Sequence, residues 1–292
     1  MILRCLTRRA GAAQSWAGAS SRRTPPLTRS TYSIPALVNH DELEKNGVPG
    51  LLSPQGFRIA YTDYQQHMVD ELNESTAGTV FENQEPKALV IETSRDPTKA
   101  YLFNVASMAF NNHFFFRGIN TDPHVRSEPT VDLTNQIRND FSSLDTLRET
   151  FLATAEAMFG PGFVWLVQTN NTQLGSLRIL PTYLAGSPLS AAHYRRQSHD
   201  LNTHNADSYQ ALNSVGTFGS AAKQKVGPKM PLGGIDVVPL LCVNTWEHVW
   251  LHDYGVKGKR KYLEKWWNRI DWNLVIQNVT ILRKYDGRFE YR

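Results

Sequence analysis

The chain has 292 residues, 41% hydrophobic and 20% charged, which gives ample length for a buried core and an ordinary globular balance. No apolar run approaches the roughly 18 residues that a membrane span needs, and the longest candidate, 237–243, is broken by Pro239. The formal charge of +4 is confined to one end, because six arginines fall before residue 30.

Those arginines are Arg4, Arg8, Arg9, Arg22, Arg23 and Arg29, set among serines with no acid before Asp41. The pattern predicts a mitochondrial transit peptide over 1–32, with a basic tail that binds nucleic acid as the alternative. Without it, 31 Lys+Arg become 25 against 27 Asp+Glu, a charge of about −2. A globally basic surface for gripping RNA is thereby excluded, and any RNA contact must be local. Cys5 would leave with this segment, so Cys242 has no disulfide partner and reads as a small core residue.

After a polar entry at 41–49, the stretch 53–73 reads as a helix with Ser53 as cap and Pro54 in its first turn. Phe57, Tyr61, Tyr64, Met68 and Leu72 recur at helical spacing. A polar loop with Gly78 leads to a second helix over 97–116, ended by Gly118, and the two form an antiparallel hairpin. Residues 132–139 read as helical, and Ser142 with Asp145 as the cap of a further helix to Phe159. Strand patterns follow at 163–169, 177–182 and 237–243, the first two joined as a hairpin through Asn170, Asn171 and Gly175. Helices at 262–267 and 272–282 close the chain.

The stretch 190–234 is rich in Ser, Ala, Asn, Gln and Gly and reads as a long loop between strands, one that depends on partners for order. Its His193, His199 and His204 have no cysteine or carboxylate to complete a metal set and read as loop histidines. The fold class expected is α+β: a helical hairpin domain at 41–125, then an α/β domain with a small antiparallel sheet at 126–292, carrying the 190–234 insert.

The run from Pro239 to His248 ends in Asn244-Thr245-Trp246-Glu247-His248 and resembles the iron/manganese superoxide dismutase signature, where the Asn position is Asp. Further anchors are Phe103-Asn104, Asn111, Phe114 to Phe116, Asp140 to Leu144, Gly160 to Trp165, Ala185 to Leu189, Asp253-Tyr254 and Trp267 to Trp272. In that family three His and one Asp bind the metal, so the resemblance places the ligand positions at Ala60, Asn112, Asn244 and His248. Only His248 could ligate, since an amide oxygen is a weak neutral donor for a redox metal. His113 stands one residue from the ligand position, a rotation of about 100° on a helix. The family's gateway tyrosine corresponds to Met68, and its outer-sphere glutamine to Met108 or Ala185. No metal or other cofactor is therefore expected.

The resemblance implies that Glu247 and His248 serve a twofold interface, as the same pair does across the family's dimer. Lys257, Lys259, Arg260 and Lys261 form a basic loop that could meet RNA phosphate. Together with the transit peptide, the resemblance extends to the degenerate dismutase-like proteins of the fungal mitochondrial small ribosomal subunit. It implies a non-catalytic structural subunit in the matrix. Its partners would be a related dismutase-like chain and other small-subunit proteins, with limited rRNA contact and no membrane. The alternatives are a mitochondrial superoxide dismutase with atypical ligands and a free scaffold bound to some other partner.

Overall fold

In the computed structural model, residues 32–94, 96–122, 124–125, 127–169, 175–189 and 237–281 are described. The 190–234 insert and 1–31 of the expected transit peptide fall outside them. Tyr32, placed by the sequence at the end of that peptide, belongs to the folded body. Its N–H donates to Asn73 Oδ1 at 2.8 Å and its hydroxyl to the Phe81 carbonyl at 2.9 Å.

Helix α1 (His40–Asn46) occupies the stretch read as a polar entry and anchors through buried Leu43. It stops at Gly47, whose φ of +73° favours glycine and where a Cβ would lie 2.3 Å from the Leu52 carbonyl oxygen. Ser53 then caps as the sequence suggests, accepting the Gly56 N–H at 3.0 Å, with Pro54 following it. From there α2 (Pro54–Phe57), a π-helical stretch (Arg58–Asp63) and α3 (Tyr64–Thr76) run on without a break. The widened turn, unforeseen in the sequence, keeps Phe57, Ala60 and Tyr61 on the same buried side as Met68, Val69 and Leu72. Gly56 is required by close approach, since a Cβ there would lie 2.3 Å from the Asp253 carboxylate.

The loop expected after α3 is a correction. It carries α4 (Pro86–Thr93), with Pro86 in its first turn and Leu89 and Val90 fully buried, packed on the next long helix. A short 3-10 turn (Pro97–Lys99) leads into α5 (Ala100–Arg117), which Gly118 ends by donating to the Phe114 and Phe115 carbonyls. Bonds from Asn112 to Ala60 and from Gln65 to Ala109 show α3 and α5 running antiparallel, so the hairpin stands with α4 as its third member.

Helices α6 (Val131–Phe141) and α7 (Leu144–Ala157) follow. The α7 cap is Ser143 rather than Ser142: Ser143 Oγ accepts the Thr146 N–H at 3.0 Å, while Ser142 bridges the helices at φ +69°. The helix stops at Ala157, before Phe159. The sheet has the order β2-β1-β3, all antiparallel, with β1 (Gly162–Thr169), β2 (Leu177–Tyr183) and β3 (Val237–Asn244). Central β1 is buried at every position. Opposite Leu166 and Val167 the β3 register slips. Pro239, which has no N–H to give a ladder, sits at that irregularity. Cys242 pairs with Trp165 and is buried.

Three helices follow, α8 (Glu247–Tyr254), α9 (Lys259–Trp267) and α10 (Trp272–Asn278). The last ends at Asn278, short of the expected 282, with Val279 extended. One apolar cluster runs from Leu37 to Val275 through both halves. The link between the halves is pinned to the C-terminal part, Asn120 N–H to the Arg269 carbonyl at 2.7 Å and Asp271 N–H to the Gly118 carbonyl at 3.0 Å. No helix among the described residues is long and apolar enough to cross a membrane.

Candidate functional site

The fold brings Ala60, Asn112, Asn244 and His248 to one place between the helical hairpin and the sheet. Ala60 comes from the π-helical stretch, Asn112 from α5, Asn244 from the end of β3 and His248 from the first turn of α8. The first three are buried completely. Asn112 Nδ2 donates to the Ala60 carbonyl and to Gln65 Oε1, each at 3.2 Å. Asn244 Nδ2 donates to Asn112 Oδ1 at 3.1 Å, and Asn244 Oδ1 accepts the Trp246 N–H at 2.9 Å. Gln65 closes the set by donating to the Ala109 carbonyl at 2.9 Å. Buried amides are thus paired with one another, which avoids the cost of leaving them unsatisfied.

Gln65 escaped the sequence reading. Its signal was a polar residue within the spacing Tyr61, Met68, Leu72, on a face that is otherwise apolar.

His248 does not join this network. Its ring stacks on Tyr64, centroids 4.2 Å apart and 15° from parallel, with Trp246 at 5.8 Å. Burial lowers its pKa to about 4 and raises the Tyr64 hydroxyl to about 12. Its Nε2 is buried without a hydrogen-bond partner among the described residues. These residues do not fit a catalytic iron or manganese. Ala60 has no donor, the two amides are neutral and already bonded to each other, and one imidazole remains. Among the described residues no group of three or more His, Cys, Asp or Glu could hold a metal. The supporting positions Met68, Met108 and Ala185 are buried, and none carries a hydrogen-bonding side chain.

His113 faces elsewhere, as its helical position requires. Its Nδ1 lies 2.9 Å from Tyr61 Oη, which itself donates to the Pro35 carbonyl at 2.9 Å, so the imidazole is the donor of the first bond. Burial, with Arg117 nearby, lowers its pKa to about 4. It lines a cavity of about 550 Å³ with Tyr32, Phe110 and Arg117, which meets the amide network only at Gln65.

On the surface outside the network, Glu247 is exposed at the start of α8. Beside it the turn 158–162 carries Phe159, 96% exposed. The Thr245 N–H donates to the Gly162 carbonyl at 2.9 Å and Lys259 Nζ to the Met158 carbonyl at 2.9 Å, which hold that turn against α8 and α9. Burial lowers the pKa of Lys259, opposed by the charges of Glu247 and Glu156. Arg260 meets Glu264 at 2.8 Å and Glu149 and Glu156 at 3.2 Å each. Two of the four cations expected to meet RNA are therefore engaged within the chain, while Lys257 and Lys261 are exposed.

Residues 129–197 and 209–278 match the C-terminal domain of iron/manganese superoxide dismutases. The chain is 27% identical over 269 residues to small ribosomal subunit protein mS43 of Schizosaccharomyces pombe, covering 89% of this chain and 91% of that protein. It is 30% identical over 193 residues to small ribosomal subunit protein mS42 of the same yeast, covering 65% and 71%. An iron superoxide dismutase of Salmonella typhimurium is 25% identical over 250 residues, covering 86% and 99%.

Proposed function

The chain belongs to the iron/manganese superoxide dismutase family, alongside small ribosomal subunit proteins mS42 and mS43, and from that premise we propose that it is a structural, non-catalytic protein of the small subunit of the mitochondrial ribosome. The observation that carries the non-catalytic part is the amide network of Ala60, Gln65, Asn112 and Asn244, which fills the family's metal position with groups that satisfy one another. The ribosomal part is supported by the two ribosomal relatives and by the arginine-rich N-terminus, which sends the chain to the matrix. The transit peptide is shortened by one residue to 1–31, with processing ahead of Tyr32, while the hairpin domain 41–125 and the α/β domain 126–292 keep their assigned roles in this reading.

The protein pairs with a related dismutase-like chain through the face that holds Glu247, His248 and Phe159, and otherwise meets ribosomal proteins. An exposed phenylalanine and an exposed carboxylate beside a partly buried imidazole suit a twofold-like interface, in which each chain supplies what the other lacks.

The test is affinity purification of a tagged chain from mitochondria, followed by gradient sedimentation and elemental analysis. Co-sedimentation with the small subunit, iron and manganese far below one per chain and no dismutation of superoxide are expected. About one metal per chain with dismutase activity would overturn the reading in favour of an enzyme with atypical ligands.

A further inference from the structure

Helix α9 and the turn after it carry a second set of cations. Lys261 and Lys265 are one helical turn apart, about 6 Å along one side of α9, and Arg269 lies in the turn just past the helix end at Trp267. Lys261 and Lys265 line a cleft of about 390 Å³ whose other wall is the segment 50–53 with Asp253 and Tyr254. Arg269 borders the same wall: a Cβ at Gly50 would lie 3.3 Å from its guanidinium, and the guanidinium donates to the Asp122 carbonyl at 3.1 Å.

The charge here is net positive. Two lysines face one carboxylate in the lining, that of Asp253, which accepts the Ser53 N–H at 2.8 Å and the Ser53 hydroxyl at 2.6 Å. Asp271 caps α10 and Asp122 accepts the His124 N–H. Among the described residues none of the three cations has a carboxylate within 4.0 Å, in contrast to Arg260 with its three.

We propose that this cleft is an RNA-binding surface, with Lys261, Lys265 and Arg269 contacting phosphates of one strand. It goes beyond the ribosomal reading and rests on it only for the source of the RNA. Two lysines a helical turn apart, with a guanidinium beyond the helix end, suit the phosphates of a sugar-phosphate backbone. A protein partner draws most of its binding energy from a few large side chains seated in pockets, and the apolar residues of this lining, Leu51 and Leu52, are buried in the core. The one aromatic ring in the cleft, Tyr254, is already covered by Lys265 Nζ, 5.3 Å from its centroid.

The experiment is fluorescence anisotropy of a labelled single-stranded RNA with the purified full chain across a salt series. The N-terminal arginines contribute equally to every variant and cancel in the comparison. The slope of log affinity against log salt should shrink by about 2 in Lys261→Gln/Lys265→Gln/Arg269→Gln and by about 1.4 in Lys261→Gln/Lys265→Gln. Arg260→Gln should leave it unchanged. The double variant touches only exposed side chains, so the test does not depend on the hydrogen bond of Arg269. An unchanged slope in the double and triple variants overturns the proposal, as does polyglutamate displacing RNA at equal charge. Sedimentation of the wild-type chain is read separately: a chain that binds RNA through the cleft but does not travel with the small subunit sinks the ribosomal reading and leaves this one standing.

Discussion

Asn244 uses both ends of its amide, one toward Asn112 and the other toward the Trp246 N–H. Asn244→Asp would restore the family's carboxylate in a site that cannot compensate it, setting an anion against Asn112 Oδ1 with no solvent. The substitution should cost about 2–4 kcal/mol at pH 7. Burial would raise the carboxyl pKa above its unfolded value, so the penalty should shrink as pH falls toward 4. Urea unfolding at pH 7 and pH 5 checks both points, and equal stability to wild type at pH 7 would contradict the dry network. His113 and His248 give a second test. Each has a folded pKa of about 4 against 6.5, so the unfolded chain takes up protons first as pH falls. Their contribution is complete above about 6.5, declines from there to about 4 and is flat below. On the order of 2–3 kcal/mol per histidine is at stake. His248→Gln and His113→Asn should each lose less stability than wild type between pH 7 and pH 4.5. At this scale the sequence was legible where a known motif supplied the expectation, as at Asn244 and Ala60. It was opaque at Gln65, whose role depends on a neighbour 47 residues away.

Among the elements, those with a full apolar stripe or strand run, such as α3, α5 and the three strands, could be read to within a few residues. The short helices α1 and α4 could not, because one buried residue in the first and three in the second leave little periodicity and their helicity comes from packing. The π-helical stretch left no compositional mark either. The α6–α7 junction separates local signal from fold, since Ser142 and Ser143 offer the same hydroxyl and only backbone geometry decides which one caps. Ser143→Ala should therefore cost about 1 kcal/mol. Ser142→Gly should be neutral or stabilising by up to about 1 kcal/mol, because glycine accepts φ +69° without strain. Thermal unfolding of the two variants distinguishes them, and the reverse order would restore the cap read from sequence.

For the whole molecule, the pairing face and the core are separable. Phe159 is almost fully exposed and Glu247 is exposed at the start of α8. Phe159→Ser and Glu247→Ala should leave the unfolding of the isolated chain within about 0.5 kcal/mol of wild type. Pairing should nevertheless weaken, by about 2–5 kcal/mol if Glu247 meets a buried imidazole of its partner. Analytical ultracentrifugation with the related chain, beside unfolding of each alone, measures the two effects independently. Unaltered pairing in both variants would make Glu247 an ordinary surface residue. The amide network has one further consequence. A metal enzyme of this shape reaches its final state only when its organelle delivers the right ion, and competing ions can trap it in an inactive form. On the non-catalytic reading, a centre closed by asparagine and glutamine asks for no ion to complete the fold. The supply of the protein is then uncoupled from iron and manganese scarcity, which suits a part required in fixed ratio to many others.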